Sequence, residues 1–74
     1  MVEQSIHLQG VGLFRAKKVK EFGIGERVVY NYGDVYTIKA IKPIGKSSLE
    51  WTTEHMGKTY KSKQRKETLR GWHL

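Results

Sequence analysis

The clearest pattern in the chain lies between Gly25 and Ile41. Two β-branched and aromatic runs there flank the tetrad Asn31-Tyr32-Gly33-Asp34. Glycine takes positive φ without penalty, and Asn and Asp bond readily to nearby backbone, so the segment predicts a β-hairpin. Val28, Tyr30 and Tyr32 share one parity in the first run, and Tyr36, Ile38 and Ala40 share one in the second. Ile41 then breaks phase, with Lys39 before it and Lys42 after, which predicts a bulge or bend in that strand.

Further strands follow. Leu49, Trp51 and Thr53 share an inward parity, while Ser48, Glu50, Thr52 and Glu54 face out; His55-Met56-Gly57-Lys58 makes the next turn. Charge sets the register of the strand after it. Pairing Glu54 with Thr59 places Thr53 opposite Tyr60, Trp51 opposite Ser62 and Leu49 opposite Gln64 on the inner face. Thr52 then meets Lys61, and Glu50 meets Lys63, on the outer one. A slip by one residue would set Lys61 beside Trp51 in the core, which desolvation forbids. Glu67-Thr68-Leu69-Arg70 reads as a single helical turn and Trp72-His73-Leu74 as a closing strand. Upstream, Ile6 and Leu8 alternate with polar residues in a short strand or extended arm. The segment from Leu13 reads as a turn or basic flank through Lys18, then a short strand from Val19 to Phe22. Residues 1–18 are thus an N-terminal arm or basic flank, and 19–74 the folded domain.

Close-spaced short strands, a mid-strand bend and a helical turn before the last strand describe a small barrel. The chain here resembles the SH3-like barrel superfold, which includes Tudor, KOW-type and many phage and plasmid domains. Gly25-Glu26-Arg27-Val28-Val29-Tyr30 looks like the opening of the first barrel strand, Tyr36-Thr37-Ile38-Lys39-Ala40-Ile41 like the bent second, and Glu67-Thr68-Leu69 like the turn before the last. The resemblance implies a mainly β fold: a small SH3-like barrel of about five short antiparallel strands with a short helical turn before the last. The Ala-Leu-Tyr-Asp-Tyr-like run and acidic loop of peptide-binding SH3 domains are absent, as are the glycines of a KOW motif. The superfold hosts many functions, so function must come from the residues.

Composition narrows the partners. Fourteen Lys/Arg against seven Asp/Glu leave the 74-residue chain at +7. A field of that sign attracts polyanions, nucleic acid first, then an acidic protein surface. Without cysteine there is neither disulfide nor thiolate zinc site. A chain this small buries only about 60–65% of its unfolded surface, which leaves homodimerisation open as a way to gain core. No apolar run approaches the roughly 20 residues that span a bilayer, and the N-terminus lacks the order of a signal peptide, so a cytoplasmic protein without membrane attachment is expected.

The sharpest constellation is Lys58-Thr59-Tyr60-Lys61-Ser62-Lys63-Gln64-Arg65-Lys66, with five cations in nine residues. Strand alternation puts Lys61, Lys63 and Arg65 on one face at a pitch of about 6.5–7 Å, close to that of successive phosphates along an extended strand. Lys58, Lys66 and Arg70 extend the patch from its ends. The plain alternative is a solvated face with Glu50 neutralising Lys63. A second basic run, which includes Lys17 and Lys18, is either an arm along a phosphate backbone or a solvated flank. Tyr32 and Tyr36 bracket the Gly33 turn, where they could stack bases or cage a cation, or else lie at the core edge. Trp51, Phe22 and Tyr30 read as core. Catalysis has little support. His7, His55 and His73 have no ligand spacing, the serines lack a nucleophile setting, and no glycine-rich phosphate loop precedes a helix. The expectation is a non-catalytic nucleic-acid-binding domain, favouring RNA or single-stranded DNA and needing no cofactor or metal. The alternative is a small phage- or plasmid-type module or inhibitor docking on an acidic host protein.

Overall fold

Alternating apolar and polar residues, punctuated by glycine turns, build most of the described residues into β-structure. A computed structural model describes residues 4–73. Val2 and Glu3 of the N-terminal run and Leu74 of the closing strand lie outside the described residues. The strands are β1 (Gln4–Leu8), β2 (Gly12–Lys18), β3 (Arg27–Val29), β4 (Val35–Pro43), β5 (Ser48–His55), β6 (Lys58–Arg65) and β7 (Leu69–His73). They form one antiparallel sheet in the order β1-β2-β7-β3-β4-β5-β6.

Several expectations are corrected. The sheet has seven strands rather than about five, and its ladder does not close into a barrel: β1 and β6 remain its edges. The helical turn before the last strand is absent. A tight turn takes its place, with Thr68 N–H donating to Arg65 O at 3.1 Å, and Leu69 already belongs to β7. The basic segment before Val19 is itself a strand, because Ala16 is buried while Arg15 points outward. It pairs with β7, Ala16 opposite Gly71. Gly71 is required there, since a Cβ would stand 2.9 Å from Val29 O and 3.2 Å from Leu8 Cδ1. Val19–Glu21, expected as a strand, is a 3-10 turn. It hangs on the β6–β7 connection through Val19 N–H to Thr68 O (2.9 Å) and Lys20 N–H to Lys66 O (3.1 Å).

The hairpin at Gly33 forms as the pattern predicts. Tyr30 N–H donates to Asp34 O at 2.8 Å, with Tyr32 (φ 66°) and Gly33 (φ 82°) both left-handed. The turn between β1 and β2 docks on it, for Tyr32 N–H donates to Gln9 O at 2.6 Å and Gln9 N–H to Asn31 Oδ1 at 3.0 Å. The expected bend in β4 is a bulge at Lys39, where the register with β5 shifts between Ile38 and Ala40. The β5–β6 register argued from charge holds at every pair, from Leu49–Gln64 to Glu54–Thr59.

One sheet without a second layer buries side chains completely only by bending over itself. Val19, Val28, Ile38 and Trp51 have no exposure at all, and Phe22 completes their cluster. The principal extents, 31 × 30 × 18 Å, show the bend, since stacked flat layers lie only about 10 Å apart. Phe22 meets Trp51 edge-on at 5.2 Å.

The turn joining β5 and β6 invites a test. His55 pairs with Lys58, so the loop is the two residues Met56 (φ 52°) and Gly57 (φ 78°), both left-handed. Methionine is costly at that φ, and its side chain is solvent-exposed. Met56→Asn creates the Asn-Gly pair this turn type favours and is expected to raise stability by about 0.5–1 kcal/mol in chemical denaturation.

Candidate functional site

Alternation along β6 gives its two sides opposite characters. On the outer side Lys61, Lys63 and Arg65 are exposed in a row. Across from them on β5 stand Thr52, Glu50 and Ser48. Glu50 also faces Lys42 of β4, yet no acidic group lies within 4.0 Å of Lys42, Lys61, Lys63 or Arg65 among the described residues. The outer face of β4–β6 also carries Lys39, whose ammonium stands 3.8 Å from Glu54. The row is exposed, and β6 is an edge of the sheet, with no strand paired beyond it among the described residues.

The other expected site residues lie elsewhere. Lys58 is exposed on β6 with the parity of Tyr60, on the inner side. Lys66 is half-buried in the following turn, its N–H donating to Ser47 O at 2.9 Å. Arg70 points inward: its Nε donates to Gln64 Oε1 at 3.0 Å and its guanidinium lies 5.6 Å from the Tyr30 ring centre. Lys17 is bound to Glu26 at 2.6 Å and lies over the rings of Trp72 (4.6 Å) and Phe22 (4.9 Å). Lys18 and Lys20 grip the two carboxylate oxygens of Glu67, each at 2.8 Å. That grip holds the Glu67 carboxyl at about 2 and raises Lys18 above its ordinary value. Tyr32 is exposed at the hairpin tip, remote in sequence from the row and packed near Gly10. Of the expected residues, only Lys61, Lys63 and Arg65 therefore form the row itself.

Tyr36 belongs to the inner side of the sheet. Its ring meets Tyr30 edge-on at 5.1 Å and Tyr60 at 5.7 Å, and stacks on His55 at 4.4 Å. His55 is fixed by Nδ1–H donating to Val35 O at 2.9 Å, since the carbonyl can only accept. Tyr30, Tyr36, Tyr60, Asp34, Thr53, Ser62 and Gln64 line a cavity of about 330 Å³, at the small end of ligand-binding pockets. Its floor is a hydrogen-bonded set: buried Gln64 donates from Nε2 to Ser62 Oγ at 3.0 Å and accepts from Arg70. Burial pushes the Tyr30 hydroxyl above its ordinary value, with Arg70 opposing. Sequence alternation already pairs Thr53 with Tyr60; Tyr36 joins them only through the course of β4. Among the described residues no group of three or more His, Asp or Glu could hold a metal ion, and no helix is long and apolar enough to cross a membrane.

Glu26 joins the basic flank to the core. Its carboxylate accepts from Lys17 (2.6 Å), the Gly23 N–H (2.6 Å) and the Trp72 indole N–H (3.1 Å). Burial alone would raise its pKa, but these donors outweigh it and hold the group below the ordinary 4.5. In the unfolded chain the proton binds near 4.5, whereas the folded chain takes it only at lower pH. The unfolded state therefore binds more protons in that window, and stability falls as pH drops through it. Glu26→Gln is expected to flatten this acid limb in denaturation midpoints measured between about pH 6 and pH 3, while lowering stability at neutral pH by about 1–2 kcal/mol.

No protein-family model, no curated protein and no solved structure matches this chain.

Proposed function

We propose that this protein binds nucleic acid without catalysis and without strong sequence readout, holding the phosphate backbone on the outer face of β6. The observation that carries the reading is the row Lys61, Lys63 and Arg65 on an uncovered edge strand, none paired with an acid among the described residues. Lys42 flanks it across Glu50, Lys58 lies at the far end of β6, and the net charge of +7 favours polyanion approach. The strand pitch, about 6.5–7 Å, lets consecutive cations meet consecutive phosphates and release their counterions. No α-helix among the described residues could read a major groove. Lys17, Lys18 and Arg70, engaged with Glu26, Glu67 and Gln64, serve the fold more than this interface.

A second reading, docking on a protein, is favoured by one observation. Tyr32, Val11 and Leu13 are exposed near the two turns that dock on each other, with Val11 Cγ2 3.8 Å from where a Cβ on Gly33 would stand. An exposed tyrosine is a common interface anchor, and Val11 and Leu13 add apolar surface beside it.

Fluorescence-anisotropy titration of labelled single strands across a salt series separates the two. Neutralising about four phosphates gives a log–log slope near −3 on single strands. The double variant Lys63→Glu/Arg65→Glu is expected to lower affinity by more than about tenfold on unrelated sequences and to flatten the slope. Absence of saturable binding at low salt would refute the proposal and favour the Tyr32 surface.

A further inference from the structure

Behind the basic row, on the inner side of the same strand, lies the cavity walled by Tyr30, Tyr36 and Tyr60. Thr53, only 3% exposed, lines it together with Asp34, Ser62 and Gln64. A few polar groups set among aromatic walls are what fixes a ligand's orientation in a small-molecule site. The fold satisfies the neighbouring polar groups, Gln64, Ser62 and Arg70, with one another. Thr53 and Asp34 are the further polar groups of the lining that an occupant can engage.

The walls specify that occupant's chemistry. Tyr60 is 43% exposed, which leaves ring surface for a flat π-system, and Tyr36 behind it is locked between His55 and Tyr30. Asp34 supplies a carboxylate that accepts from amino or imino groups, and Thr53 a hydroxyl that donates or accepts. Two cations border the space: Arg70 beside Tyr30, and Lys58 two residues before Tyr60 on the same side of β6. A cationic occupant would meet those charges unfavourably, and an aliphatic one would make no use of Asp34 and Thr53. A planar heterocycle tethered to phosphates satisfies rings, polar edge and rim together.

We infer that the cavity receives one unstacked nucleobase of a single strand whose phosphates follow β6. The inference rests on the phosphate-binding reading above and adds a base site to it. It makes the protein selective for single strands, because a duplex must first extrude a base at considerable cost.

The test compares three labelled probes by anisotropy: a single strand of about eight nucleotides, the same backbone with every base replaced by an abasic sugar, and a duplex. The base-containing strand is expected to bind about tenfold more tightly than the abasic one, and more tightly than the duplex. Tyr60→Ala should abolish that preference with the salt slope unchanged, and Tyr60→Phe should restore it. Thr53→Val, nearly isosteric, should weaken only the base-containing probe; unaltered denaturation midpoints show that each variant folds. Equal binding of base-containing and abasic strands with the salt slope intact would overturn the base site and leave the phosphate reading standing. No saturable binding of any probe would overturn both.

Discussion

A seven-stranded sheet with no α-helix among the described residues to cover it must find its own second layer, and the packing around Trp51 is where this chain does so. The indole is wholly enclosed by Val19, Val28, Ile38 and Phe22, drawn from a 3-10 turn, two other strands and the segment between them. Truncating a buried aromatic of this size costs about 3–5 kcal/mol, a large fraction of the stability a small domain has. The Trp51 Nε1–H has no hydrogen-bond partner among the described residues; the ring is held by shape and apolar contact. The bulge at Lys39 serves the same end, turning β4 so that Ile38 faces the cluster while Lys39 stays in solvent. With no cysteine to form a disulfide staple, the fold depends on this bend.

The bend also decides where charge and rings can go. Once the inner side of β5 is filled by Trp51 and Thr53, the inner side of β6 carries Tyr60, Ser62 and Gln64, and Lys61, Lys63 and Arg65 are forced outward. Lysines on an edge strand oppose addition of a second chain's strand, so the row protects the edge as well as offering itself to phosphates. Four further cations are engaged by their own neighbours: Lys17 by Glu26 and two aromatic rings, Lys18 and Lys20 by Glu67, Arg70 by Gln64 and Tyr30. A charge of +7 thus overstates what a partner meets, and the outer face of β6 is where the surplus is concentrated.

Period-two alternation and turn chemistry made the hairpin at Gly33, the bulge in β4 and the β5–β6 register legible, because each rests on local geometry or on keeping Lys61 out of the core. Local signals could not tell that Arg15-Ala16-Lys17-Lys18 is a strand: its lysine is accommodated by Glu26 and Trp72, residues distant in sequence. They likewise could not show whether the ladder closes, which depends on contacts between chain ends. The outer cations of the site were legible from parity, while the aromatic cavity was only half so. Thr53 and Tyr60 pair across adjacent strands, but Tyr36 reaches them through the bulged β4, and His55 fixes it through a bond to Val35 O. Helical propensity in Glu67-Thr68-Leu69-Arg70 lost to pairing of Leu69 with Lys18.

The most direct measurement is a residue-resolved NMR titration of the isotope-labelled protein with a short single-stranded oligonucleotide. Saturable shifts should gather along β6 and the facing positions of β4 and β5, including Lys61, Lys63, Arg65 and the Tyr60 and Thr53 amides, with Val11, Leu13 and Tyr32 unmoved. Shifts confined to Val11, Leu13 and Tyr32, or none at saturating oligonucleotide, would contradict a nucleic-acid interface on β6.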